Sequence, residues 1–396
     1  MSASLVVVLL SLLLGIQSVT TDLYLPALPA LTEGFGATLA QAQLTLTALL
    51  LAFGSSQLVW GPLSDRFGRR PILLWGLGAY VVSAIGCTFA PGMNELIAWR
   101  VVQGVAMGAA VMCARAIVRD LYAPVEGARI MSKGLTGLGF FACMGAPLGG
   151  LLADTFGAQS TLMALTVFGV VTWVMVAWRF EESVRHKNPQ ALAPATLALT
   201  WWNIIRHPTF LSYASLASAT YAGLFTFLAS SSFVFIQVLG LSRTHYGMVM
   251  FTMPLAYISG TILCRRLVLR VGIQRTIRVG GWFSLLGGSG MGLLALAGFS
   301  SGWSIMLPFY LFMIGHGVNQ PVSQSAGVAP FPKSAGAASA LNGFLMMVVA
   351  FAVGGWLGGA LDGSVKPLSY GVWFWGVVTA LIGWTVVQKH GHVADH

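Results

Sequence analysis

The chain has 396 residues, 56% hydrophobic and only 8% charged, and carries a formal net charge of +10. A soluble domain of this length carries roughly a quarter charged residues, so composition and a mean hydropathy of +0.80 exclude a water-soluble globular protein. A lipid-facing backbone must close its hydrogen bonds within helices or a closed barrel. Barrel strands alternate over roughly ten residues; here the apolar stretches run uncharged for about 20, the length of a membrane-crossing helix. The fold class is therefore an all-α polytopic membrane protein.

In chain order the apolar runs fall at 5–30, 41–61, 72–90, 96–117, 134–153, 160–178, 209–238, 245–264, 277–298, 303–324, 337–361 and 368–388, which makes twelve spans. The first lacks a basic n-region and a small-residue cleavage site, and continues apolar to Asp22 and Pro26, so it reads as a span and not a signal peptide. If the N-terminus is placed inside, 17 Lys and Arg residues fall in inside loops and only Arg243 and Lys366 outside. The inside set includes Arg185 and Lys187. This asymmetry sets orientation, with both termini cytoplasmic in an inner (plasma) membrane. It also accounts for the positive charge without nucleic acid. The four cysteines, Cys87, Cys113, Cys143 and Cys264, have no metal-like spacing and read as small buried hydrophobes.

The stretch 179–208 carries charge and three prolines and has no sustained apolar span. It reads as a cytoplasmic linker between six-helix bundles at 1–178 and 209–396, with TWWNII as a short interfacial amphipathic helix. An internal repeat supports the division. Asp65-Arg66-Phe67-Gly68 followed by Gly76 aligns with Leu269-Arg270-Val271-Gly272 followed by Gly280, at an offset of 204. Gly127-Ala128 and Gly149-Gly150 align with Gly336-Ala337 and Gly358-Gly359, at an offset of 209. Transporters built from such repeats place substrate near the bilayer midplane.

Within the spans, Asp22 stands out. A charge in hydrocarbon costs about 2.5–3.5 kcal/mol or more, so a membrane acid needs a partner or a proton. Span one runs outward and span four inward, which places Arg100 at a depth similar to that of Asp22. The expectation is an ion pair whose separation lets Asp22 take up a proton, with Arg100 as the switch. The alternatives are an Asp22 that reaches water at the helix end and an Arg100 that only ties span one to span four. Arg115 lies about 22 Å further along the helix, near the cytoplasmic mouth, where it could gate or simply snorkel. Candidate substrate contacts are Tyr24, Gln43, Gln57, Gln103, Met107, Tyr221, Phe225, Tyr257, His316, Asn319 and Gln320. Few of them ionise, so the pocket suits moderately apolar molecules with a few hydrogen-bonding groups. No P-loop of the form G-x-x-x-x-G-K-[ST] occurs, so ATP is not expected to be the energy source; no cofactor is expected, and a membrane acid that takes up a proton points to the proton gradient instead.

Three motifs carry a resemblance. GPLSDRFGRRP, at 61–71, resembles the signature loop of the major facilitator superfamily. Arg100-Val101-Val102-Gln103-Gly104 is similar to the Arg-x-x-Gln-Gly motif of its drug:proton antiporter branch. Gly145-Ala146-Pro147-Leu148-Gly149-Gly150 is similar to the antiporter motif of that branch, with Ala146 where Gly is usual. That alanine, TDLYLPALPAL at 21–31 and ARAIVRDLY at 114–122 resemble the Bcr/CflA subfamily, whose members export bicyclomycin- and chloramphenicol-type drugs.

The resemblance implies a monomeric, proton-coupled exporter of small hydrophobic drugs, working by alternating access and not an enzyme. An exporter of a physiological metabolite is the alternative; a passive channel would need a continuous polar stripe. The resemblance also implies a reversible cytoplasmic latch of Asp65, Arg66, Arg69, Arg70 and Asp120, with Asp65 facing the start of span eleven and Arg69 paired with Asp120. In span five, Gly145 with Gly149, or Ala146 with Gly150, offers a small-xxx-small packing face. Pro147 permits a bend there.

Overall fold

The computed structural model describes residues 2–184 and 192–391; Arg185 and Lys187 lie outside them. Among the described residues the secondary structure is helical throughout, with no strand. Twelve helices cross the membrane, in two six-helix bundles.

Span one is α1, Ala3–Asp22, followed by a 3-10 turn at Leu25–Ala27 and the short α2, Leu28–Gly34. The continuous run read over 5–30 is thus broken just after Asp22. Pro26 and Pro29 have no N–H to give the carbonyls of Asp22 and Leu25, so the α-helical ladder stops there and tightens to an i→i+3 bond, Ala27 N–H to the Tyr24 carbonyl at 3.0 Å. Spans two to six are α3 (Leu39–Phe67), α4 (Arg69–Thr88), α5 (Met93–Leu121), α6 (Pro124–Phe156) and α7 (Gln159–Arg179). Helix α3 opens on a capping box, the Thr38 hydroxyl accepting from the Gln41 N–H while Gln41 accepts from that of Thr38.

The polar stretch contains α8, Pro194–Ile205. Its Leu199 and Trp202 are exposed, Ile204 is buried, and the Arg206 guanidinium lies 4.0 Å from the Trp202 ring centroid. Span seven is α9, Pro208–Ser232, extended by a π turn at Phe233–Val238. Spans eight and nine form one helical run, α10 (Arg243–Leu296), divided at Gly272. Spans ten to twelve are α11 (Gly302–Val328), α12 (Ala335–Ala360) and α13 (Lys366–Trp384), and a short α14 (Val386–His390) ends the described chain.

The contacts cluster into two compact units, Met1–Pro194 with Ser242–Phe251, and Ala195–Leu241 with Thr252–His396. In the first, α3 packs on α5, α1 on α6, and α4 on both α5 and α7; in the second, α9 is central and packs on α11, α12 and α13.

The aligned glycines adopt matching backbones. Gly68 has φ 107° and ψ 162°, and Gly272 has φ 78° and ψ 172°. Each is the entire connection between two spans, a one-residue reversal in a conformation that a side chain would strain. The loop inferred at 61–71 is therefore mostly helix: Asp65 and Arg66 lie in the last turn of α3, Arg69 and Arg70 in the first turn of α4.

Candidate functional site

The signature segment builds an ion cluster around Arg69, whose side chain is 4% exposed. Its Nε donates to Asp120 Oδ2 at 2.9 Å, and its Nη1 reaches Ser64 Oγ at 2.6 Å and Asp65 Oδ1 at 2.7 Å. Arg119 stands 3.6 Å from the same Asp65 oxygen. The partners that the structure gives Asp65 are thus Arg69 and Arg119, both in the first unit, where the resemblance pointed to span eleven. Arg66 lies over the Phe67 ring at 5.5 Å, and Arg70 donates to the Ala177 carbonyl at 3.0 Å.

Two residues of this cluster were missed from the sequence. Glu182, just beyond span six, accepts from the backbone N–H groups of Arg69 (2.9 Å) and Arg70 (3.1 Å). It thereby caps the start of α4, where a carboxylate is favoured. Ser183 donates to Asp120 Oδ2 at 3.1 Å. For Glu182 the signal was available, because an acid among basic loop residues adds nothing to orientation.

Near the middle of the first unit, Arg100 is fully buried. Its Nη1 donates to Gln103 Oε1 at 2.8 Å and to the Thr20 carbonyl at 3.3 Å, and its guanidinium lies 4.0 Å from the Tyr24 ring centroid. Tyr24 in turn donates to Thr45 Oγ1 at 3.1 Å, and the Thr20 and Tyr80 hydroxyls are 2.7 Å apart. Arg100 and Asp22 do not form the expected ion pair. Residues two apart on a helix point in opposite directions, so the turn that brings Thr20 to Arg100 aims Asp22 at α6. There Gly145 packs against the Asp22 side chain: a Cβ on Gly145 would lie 2.9 Å from that of Asp22. Half-buried Asp22 accepts a hydrogen bond from its neighbour Thr21 at 3.1 Å and has no ion pair among the described residues.

The Arg-x-x-Gln-Gly motif divides its work. Arg100 and Gln103 join each other, while Gly104 lets α5 approach the Leu49 carbonyl of α3. In the antiporter motif both candidate faces are used. Gly145 and Gly149 receive the broken end of α1, at Asp22 and Leu23; Ala146, Pro147 and Gly150 receive the start of α10, at Gly247 and Arg243. Arg115 is exposed on α5.

Of the proposed substrate contacts, Tyr24, Gln43, Gln57, Gln103 and Met107 are buried in the first unit, and Phe225, His316, Asn319 and Gln320 in the second. Tyr221 stacks on Phe225 at 6.5 Å, and Tyr257 tilts against the His316 ring at 5.5 Å. His316 Nδ1 is 3.1 Å from Thr220 Oγ1, and Gln320 Nε2 donates to Met346 Sδ at 3.5 Å. Both side-chain polar atoms of Asn319 are buried without a hydrogen-bond partner among the described residues. Cys87, Cys113 and Cys264 are buried, as read from the sequence; Cys143 is only half-buried.

Two crossing-helix bundles, a one-residue glycine reversal carrying Asp65 and Arg69, and a match to the Major Facilitator Superfamily over residues 10–355 decide the family. The chain belongs to the major facilitator superfamily. It is a transporter, not an enzyme, and a multi-pass membrane protein. It is 28% identical to a chloramphenicol resistance protein of Pseudomonas aeruginosa over 89% of this chain and 80% of that one. It is also 28% identical to a bicyclomycin resistance protein homolog of Haemophilus influenzae, over 90% and 89% of the two chains. Multidrug resistance protein D of Escherichia coli matches at 28%, over 86% and 85%. Among solved structures, the xylose transporter XylE of Escherichia coli superposes with a TM-score of 0.75 over 98% of this chain and 97% of its own, at 13% identity, a likeness of fold alone.

Proposed function

We propose that this transporter is a proton-coupled exporter of moderately hydrophobic drugs of the chloramphenicol or bicyclomycin type. On this reading it works by alternating access in the inner membrane as a monomer, with both termini cytoplasmic. Asp22 carries the reading. It is an acid inside an apolar span, beside a break in its helix, with a hydroxyl neighbour and no ion-paired cation among the described residues. An intramembrane ionisable residue marks a functional site, and an acid with no paired cation suits proton uptake. The names of the relatives supply the drug class, and the abundance of buried amide and aromatic side chains suits such cargo.

Arg100 takes a different role from that of a switch paired with Asp22. Its bonds to the Thr20 carbonyl and Gln103 hold α1 to α5, and so fix the stretch of α1 that ends in Asp22. The cluster around Arg69 serves as the cytoplasmic latch, and Arg115 lies toward its side of α5.

The test is a proteoliposome assay. Chloramphenicol or bicyclomycin added on one side releases protons stoichiometrically from the parent protein. Asp22→Asn abolishes that release and all concentrative uptake while leaving binding measurable. An Asn variant that still concentrates drug against its gradient removes Asp22 from the proton path. Failure of every compound in an antibiotic growth panel would favour a metabolite exporter.

A further inference from the structure

The ends of α6 and α10 meet in a contact that the transport reading leaves without a role. Helix α10 begins at Arg243, so the N–H groups of its first turn need partners from outside the helix. Ser242 supplies one, its Oγ accepting from the His245 N–H at 3.2 Å. The second comes from another span. Asp154, in the last turn of α6, accepts from the Thr244 N–H at 2.8 Å and from the Thr244 hydroxyl at 2.7 Å, both at Oδ2. Its Oδ1 lies 3.6 Å from Arg243 Nη1, which also donates to the Ala153 carbonyl at 3.1 Å. One carboxylate thus caps a helix that belongs to a different part of the chain.

The contact continues down the helix. Gly150 admits the Arg243 carbonyl, and Gly247 admits the Ala146 carbonyl and Pro147, each at a separation that any side chain would prevent. Cys143, Ala146 and Gly150 are spaced i, i+3, i+7 and so share one face of α6. The start of α10 covers the upper part of that face, above Cys143. Residues Ser242–Phe251 accordingly cluster with the first unit, although the same helix belongs to the second from Thr252 onward. That segment is thus held on the first unit and continues along one helix into the second.

We propose that Asp154 is a positioning residue of the transport cycle. It holds the start of span eight on span five by capping that helix in trans, and release of this cap is a step in opening the face opposite the signature loop. The proposal rests on the transporter fold and not on the identity of the drug or the role of Asp22. Its failure would leave both of those standing.

The native Cys143 reports the step. Intact cells expressing the protein are treated with a membrane-impermeant maleimide, and the labelling rate is compared between the parent and Asp154→Ala, with Cys143→Ser in each background to assign the label. The Ala variant, which loses all three partners of the carboxylate, is expected to label Cys143 about tenfold faster. Asp154→Asn keeps an oxygen for the Thr244 N–H and lies between parent and Ala. A merely structural cap would lower the thermal midpoint in detergent and leave the labelling rate unchanged. Equal labelling of parent and Ala variant overturns the proposal. If the Ala variant does not reach the membrane, Thr244→Val and Asp154→Asn are read in the same way, and parental rates in both overturn it.

Discussion

The Arg69 cluster makes a quantitative prediction, because its two acids differ in how dry they are. Asp120 is 15% exposed and Asp65 is 41% exposed, and both bind a guanidinium that is almost wholly buried. Removing one partner of a buried pair costs about 3–5 kcal/mol, since the charge left behind is uncompensated. Asp120→Ala still leaves Arg69 with Asp65 and Ser64, so the lower end of that range applies, about 3 kcal/mol. That is roughly a hundredfold in the folding equilibrium. Asp65→Ala removes a pair open to water and screening, worth about 0–1 kcal/mol. For a bundle of this size each kcal/mol moves the thermal midpoint by about 2–4 °C. The midpoint in mild detergent should therefore fall by about 6–12 °C for Asp120→Ala and by no more than about 4 °C for Asp65→Ala. Asp120→Asn, which keeps an acceptor for Arg69 Nε, belongs between them. An Asp65 variant as damaging as the Asp120 variant would refute the assignment of the dry partner.

Gly68→Ala and Gly272→Ala both force a side chain into a positive-φ, extended-ψ region that is essentially Gly-only, at about 1–3 kcal/mol. Only the first also drives a methyl group into the Glu182 carboxylate, whereas among the described residues nothing lies within 4 Å at Gly272; chemical unfolding should rank Gly68→Ala as the more destabilised. Glu182→Ala leaves two N–H groups of α4 uncapped and should cost about 1 kcal/mol, while Glu182→Gln, which keeps an oxygen, loses less than half of that in the same measurement. Arg100→Lys should not rescue Arg100→Ala in transport, because an ammonium cannot both lie flat over Tyr24 and reach Thr20 and Gln103; a Lys variant at parental turnover would contradict the geometry. Beyond the spans, hydrogen bonds from Ser364 hold the Asp362 carboxyl below the usual carboxylate range. A folded-state value below the unfolded one of about 3.9 makes its contribution present above that pH and lost as pH falls through the folded value. Asp362→Ala should therefore cost a little stability at pH 7 and none in strong acid.

Much of the fold could be read before any coordinates. Apolar length marks the spans, because it is a one-dimensional property of a chain in a bilayer. The twin reversals at Gly68 and Gly272 are visible as aligned glycines. Several site features were less legible. The run containing Asp22 looks continuous by hydropathy, which is blind to the two prolines that end the α-helical ladder. The pairing of Asp22 with Arg100 follows from depth alone, but depth leaves the angle around the helix open. Glu182 and Asp154 are single acids near span ends, and no local pattern says whose N–H groups they meet.

What the sequence alone determines here is transverse to the membrane: how many times the chain crosses, and where along each span a polar residue falls. Hydrophobic free energy and charge asymmetry act on each segment separately, so they can be summed from composition. Azimuth is different. Whether Arg100 meets a carbonyl or a carboxylate, and whether Asp154 ends in water or on the start of another helix, depends on how neighbouring helices rotate as their glycines and side chains interlock. Packing between segments distant in sequence fixes that rotation, and only the tertiary structure records it.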